Sequence, residues 1–202
     1  RVLHRVLLGC FVSLTAVLLA SSGVAAERFA LVVGSNYGGA GASTLYFAET
    51  DAERVAEVLV HLGGVPESQL ILLRSPTPAM LEAAMESLAD RVADAKVRPG
   101  GHATVFFYFS GHALPDAIQL GRQELQFSRL RRDLDATGAD VRLLLIDSCH
   151  AGAARRDKGA TRAPGFLQAE AEVDARGEIL ITSSSADELS QESDEVGGSY
   201  FT

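Results

Sequence analysis

The stretch from Val141 to Gly152, VRLLLIDSCHAG, constrains the fold most. Val141 to Ile146 reads as a strand without polar alternation, and a strand buried on both faces belongs to a parallel sheet covered by helices. It runs into Asp147, Ser148 and Cys149, and the small residues that follow leave room around the sulfur. Open α/β sheets place their chemistry in the crevice beyond the carboxyl ends of the strands, which is where Cys149 falls. A second run, Ala103 to His112, ATVFFYFSGH, ends in a group able to take a proton.

The rest of the chain alternates strands with helices. Phe29 to Val33 reads as the first strand, and the GSNYGGAGAS stretch from Gly34 to Ser43 as a flexible glycine-rich loop. That loop lacks the Gly-Lys-Ser/Thr ending of a phosphate loop and the spacing of the dinucleotide fingerprint, which argues against nucleotide binding. Thr50 and Glu53 have capping-box spacing, and Val55, Val58, Leu59 and Leu62 fall on one face of the helix they would open. Gly63-Gly64 ends it. Leu70 to Leu73 is a short strand. Thr77 and Pro78 stand as N-cap and first residue of a helix that buries Leu81, Ala84, Met85, Leu88 and Val92.

After the 103–109 strand, residues 114–125 predict two short strands turning at Gly121-Arg122, followed by a helix from Ser128 to Asp135 and a turn at Gly138. Gly177 to Thr182 is the last apolar strand, and Ser190 to Gly198 reads as polar loop. The predicted fold class is α/β with a mainly parallel central sheet.

Residues 1–26 form a separate segment. Arg1, His4 and Arg5 precede an apolar run from Val6 to Ala20, and Val24-Ala25-Ala26 has the small residues of a cleavage site. This is the layout of a secretory signal peptide, and it predicts an exported, periplasmic or extracellular protein. Leu7-Leu8-Gly9-Cys10 lies inside the apolar run, not after it, and does not serve as a lipoprotein box. Cleavage after Ala26 removes Cys10, so Cys149 becomes the lone thiol and cannot form an internal disulfide. The segment holds two of the 18 Lys and Arg residues and none of the 26 Asp and Glu. The remainder, residues 27–202, is therefore strongly acidic and a poor general binder of nucleic acid or anionic membrane.

A thiolate nucleophile needs a base to take its proton and donors to hold the developing oxyanion. His112 and Cys149 supply the first two parts. Gly111 offers a bare backbone N–H beside His112, and the N–H of Cys149 is the second candidate donor. Asp147 stands two residues from the sulfur, where a like charge opposes thiolate formation, so its task lies elsewhere.

FYFSGHA at 107–113 and LLIDSCHAG at 144–152 resemble the histidine and cysteine motifs of the caspase-like peptidases, in particular bacterial metacaspase-type members. GSNYG and LYFAETDA at 45–52 resemble the start of that domain, and SSSADELSQES at 183–193 a later portion. The resemblance implies a three-layer caspase-hemoglobinase-like fold, with His112 as general base, Cys149 as nucleophile, and Gly111 and Cys149 as oxyanion donors. It also implies that Asp147 and Asp51 line the pocket for a substrate Arg or Lys, although the helix dipole alone favours an acid at Asp51. The implied partner is a protein or peptide substrate.

Three departures are visible. The caspase signature has a Gln-Ala-Cys core with histidine about 50 residues upstream, whereas this chain has Asp-Ser-Cys and an interval of 37 residues. Aspartate specificity is therefore not implied. Ala113 and Ala151 stand where metacaspase-type motifs commonly have glycine and serine. The family usually continues with a helix beyond the Phe201-Thr202 pair, so the domain is expected to be incomplete at that end.

Arg155, Arg156, Lys158 and Arg162 lie on a predicted surface loop, Ala154 to Pro164, that would offer such an enzyme its own cleavage site. The competing readings are a catalytically silent caspase-like binding module and a zinc hydrolase using Cys149, His150 and His112. The second lacks a spaced set of further ligands. Calcium dependence is known in parts of the family the motifs resemble, but no cage of oxygen ligands is recognisable in the sequence, and no cofactor is expected.

Overall fold

The computed structural model describes residues 26–39, 41–148, 177–183, 192–193 and 197–199. The apolar runs become strands β1 (Glu27–Ser35), β2 (Leu70–Arg74), β3 (Ala103–Gly111), β7 (Val141–Asp147) and β8 (Gly177–Thr182). They pair in the order β2-β1-β3-β7-β8, and every pairing is parallel. A separate antiparallel sheet is made by β4 (Ala113–Leu114), β5 (Ala117–Leu120) and β6 (Gln123–Gln126). Gly121 takes φ of +62° at the turn between β5 and β6, a conformation that favours glycine.

The lack of polar alternation in β1 has a direct cause. Phe29, Leu31 and Val33 pack on one face of the sheet, against α2 (Pro78–Lys96) and α3 (Phe127–Ala136), while Ala30 and Val32 pack on the other against α1 (Ala48–His61). Both faces are covered, giving three layers. Thr77 caps α2 as expected, its Oγ1 accepting from the Met80 N–H at 3.3 Å, and the stripe from Leu81 to Val92 is buried.

The first helix differs from its prediction. It begins at Ala48, so Thr50 lies inside it and the Thr50–Glu53 capping box does not form. Its N-terminus is capped instead from the preceding loop, where the Asn36 side-chain oxygen accepts from the Glu49 N–H at 3.1 Å. The expected apolar face is half inside: Val55 and Leu59 pack partly buried against the core. Val58 and Leu62 are 53% and 83% exposed, while Ala48, Asp51, Ala52 and Ala56 are buried. Small residues win that face because the helix backbone approaches the sheet closely: a Cβ on Gly34 would lie 2.6 Å from the Ala48 carbonyl oxygen and the Glu49 Cα.

Within the stretch expected to be polar loop, β9 (Glu192–Ser193) and β10 (Gly198–Ser199) pair antiparallel as a short hairpin. The predicted signal peptide, Cys149, and the basic loop from Ala154 to Pro164 lie outside the described residues, Ala26 excepted. No helix among the described residues is long and apolar enough to cross a membrane.

At the amino edge of the sheet, Asp140 ties three elements together. Its carboxylate accepts from the Ala103 N–H at 2.9 Å and from Lys96 Nζ at 3.0 Å, and its own carbonyl accepts from the Gly177 N–H. Burial pushes the carboxyl up, but the Ala103 N–H, the Lys96 ammonium and nearby His102 outweigh it and hold it below its ordinary 3.8. A folded pKa below the unfolded one stabilises the fold above pH 3.8, and that contribution is lost as pH falls through the folded value. Asp140→Asn is expected to cost about 1–3 kcal/mol at pH 7. Denaturant titrations should show the gap between wild type and variant narrowing below pH 3.8; a gap independent of pH would refute this account.

Candidate active site

The three central strands end together at the carboxyl edge. Ser35 is in register with Gly111, and Ser110 with Asp147. Ser35, Ser110, Asp147 and Ser148 are all buried there, although this is the polar end of the strands. The chain then leaves β3 through His112 and leaves β7 through Ser148, from adjoining positions on one edge.

His112 is held by the glycine-rich loop. Its Nε2 lies 2.7 Å from the Ser43 carbonyl oxygen, and its ring packs so closely on the Gly38 backbone that a Cβ there would come within 2.6 Å of Cδ2. A carbonyl only accepts, so Nε2 carries the proton and donates it. In the neutral imidazole the lone pair is then on Nδ1. The main chain is fixed as well: the His112 carbonyl accepts from the Gln119 N–H at 2.9 Å, and Gln119 Oε1 accepts from the Gly39 N–H at 3.2 Å. Loop, histidine and small sheet thus form one hydrogen-bonded unit.

Gly111 admits no side chain. A Cβ would meet Phe109 Cζ at 2.7 Å and the Ser35 carbonyl oxygen at 2.9 Å, so the backbone there is necessarily bare. On the neighbouring strand the Ser148 N–H donates to Ser183 Oγ at 3.1 Å, tying the end of β7 to the end of β8. Cys149 is the next residue and, like His150, lies outside the described residues.

The two carboxylates expected to line a substrate pocket occupy different surroundings. Asp147 is the last residue of β7, buried beside Ser110. Asp51 is fully buried in the first turn of α1, where its Oδ2 accepts from the Ser199 N–H at 3.0 Å and its Oδ1 lies 3.4 Å from Arg54 Nη1. Gly111, His112 and Asp147 therefore share adjoining strand ends, while Asp51 stands on the helix over one face, linked to the β9–β10 hairpin. Sequence reasoning did not identify the Ser43 carbonyl, Ser183, Arg54 or Ser199. Among the described residues, no group of three or more His, Cys, Asp or Glu is placed to hold a metal ion.

Comparison with known structures supports the same architecture. A crystal structure described as caspase-1 from Spodoptera frugiperda is similar with a TM-score of 0.60 and 14% sequence identity, over 87% of this chain and 66% of that one. A structure described as pro-sf-caspase-1 aligns over 73% of this chain and 52% of that one, at 11% identity and a TM-score of 0.45, and carries no argument. The chain thus spans less than two thirds of either. No curated protein matches it. The family model for the caspase domain of peptidase family C14 matches residues 27–202, and on that match, with the parallel five-stranded sheet and flanking helices behind it, the chain belongs to the caspase-domain family.

Proposed function

We propose that this caspase-domain chain is an exported, metacaspase-type cysteine endopeptidase that uses a His112–Cys149 dyad and cleaves after Arg or Lys. The observation that carries this reading is the register of β3 and β7. Ser110 pairs with Asp147, an offset of 37 that equals the interval between His112 and Cys149. Cys149 comes two residues after the Asp147 that faces Ser110. His112, oriented through Nε2 to Ser43, offers Nδ1 on the same edge.

In the reaction, Nδ1 takes the thiol proton and the thiolate attacks the scissile carbonyl carbon. Its oxygen becomes an oxyanion held by the N–H groups of Gly111 and Cys149. As the carbonyl re-forms, the C–N bond breaks and His112 returns the proton to the leaving amine. Water then attacks the thioester, and His112 takes its proton and passes it to the departing sulfur. The scheme uses no cofactor. Asp147 and Asp51 hold the substrate cation, and a protein or peptide is the substrate. Export is supported by the layout of residues 1–26 and by the start of β1 at Glu27, immediately past the cleavage site.

Labelling of the full chain by an electrophilic peptide ketone carrying Arg tests the dyad. We expect stoichiometric modification that disappears in Cys149→Ala. Absence of labelling in wild type, with peptide binding retained, would establish the silent binding module instead.

A further inference from the structure

The first turns of α1 meet the β9–β10 hairpin through two polar contacts, joined by a third within the helix. Asp51 Oδ2 accepts from the Ser199 N–H at 3.0 Å, Arg54 Nη1 donates to the Gly197 carbonyl at 2.8 Å, and the same nitrogen lies 3.4 Å from Asp51 Oδ1. The guanidinium thus bridges helix carboxylate and hairpin carbonyl, while the carboxylate holds the hairpin amide. Gly198 is pressed between them: a Cβ there would stand 2.6 Å from both Arg54 Nη1 and Asp51 Oδ1. Gly198 and Ser199 are buried by the arrangement.

A hairpin with two paired residues on each side has little ladder of its own, so its place depends on such outside contacts. α1 starts at the carboxyl edge, directly after the loop that holds His112. The hairpin therefore borders the region where a substrate would lie.

We propose that Asp51 and Arg54 form a clamp that seats the β9–β10 hairpin at the carboxyl edge of the sheet, and that Arg54 is thereby a positioning residue for substrate binding. The second clause rests on the peptidase reading; the clamp itself does not. It also gives the Asp51 carboxylate a structural duty alongside any contact with a substrate cation. Arg54 is half exposed, so its removal should not unfold the domain.

The test compares wild type, Arg54→Ala and Gly198→Ala in the full chain. Hydrogen exchange at the Ser199 amide should quicken about fivefold or more in both variants, because each loosens the clamp from one side. With fluorogenic Arg peptides, KM should rise about five- to tenfold while kcat and the rate of iodoacetamide alkylation at Cys149 stay within about twofold of wild type. Unchanged exchange in both variants would overturn the clamp. Quickened exchange with an unchanged KM, or a fall in alkylation matching the loss of cleavage, would overturn the positioning role. If wild type cleaves no peptide, the peptidase reading and the positioning role fall together, and the exchange measurement still decides the clamp.

Discussion

His112→Gln is expected to lower kcat by about 10²–10⁴ with little change in KM, the range a general base contributes. Glutamine is the informative replacement because its side-chain N–H₂ can still donate to the Ser43 carbonyl, as Nε2 of the ring does. The loop then keeps its partner and the loss isolates the base. On the proposed dyad, the imidazole accepts the thiol proton and the resulting imidazolium favours the thiolate. Without that base the thiol loses its assistance to ionise. The alkylation rate of Cys149 should accordingly move to higher pH in the variant, and residual cleavage should rise with pH over the same interval. A variant with an unchanged alkylation profile would remove His112 from the dyad, whatever happened to turnover.

Asp147→Ala should produce the second large effect, and a selective one. A substrate guanidinium reaching a buried carboxylate gains charge-assisted hydrogen bonds of about 1.5–3 kcal/mol each, so losing one is worth roughly ten- to a hundredfold in kcat/KM. Peptides with a neutral residue before the scissile bond should lose far less. Removing a like charge two residues from the sulfur should, if anything, make Cys149 easier to ionise, so alkylation holds or quickens while Arg cleavage falls. That divergence separates a pocket residue from a structural one. Full Arg cleavage in Asp147→Ala, or a preference of wild type for Asp, would end the pocket assignment without touching the dyad.

The sheet was legible because its burial is two-sided. Residues 29–33 must satisfy helices on both faces, and only an unbroken apolar run does so. Gly111, His112 and Asp147 were legible for the same reason, since each sits within a residue of a strand end that hydrophobicity already marks. Features outside local sequence were not. The cap on α1 comes from Asn36, 13 residues before the N–H it serves, so a local box at Thr50 and Glu53 was the natural and mistaken choice. The close approach at Gly34 turns the inner side of that helix toward its alanines, leaving Val55 and Leu59 partly buried and Val58 and Leu62 exposed. A main-chain carbonyl such as that of Ser43 has no side-chain signature at all. The clamp joins Arg54 to Gly197 across 143 residues, and the hairpin it holds is made of residues that propensity assigns to loop.

The parallel pairing of β7 with β8 has a topological consequence. Val141 pairs with Gly177 and Ile146 with Thr182, so Ser148 and Gly177 lie at opposite ends of the two strands, about 20 Å apart along the strand direction. The two ends that the chain must join are thus at opposite edges of the sheet, while β7 and β8 pair with each other directly. One cut within the connection would leave the piece that bears β8 held by the β8 ladder, its packing and the contacts of the β9–β10 hairpin with Asp51 and Arg54. Its association would change from a tethered, unimolecular event at millimolar effective concentration to a bimolecular one, and the assembly of the sheet would acquire a dependence on protein concentration that the intact chain does not have.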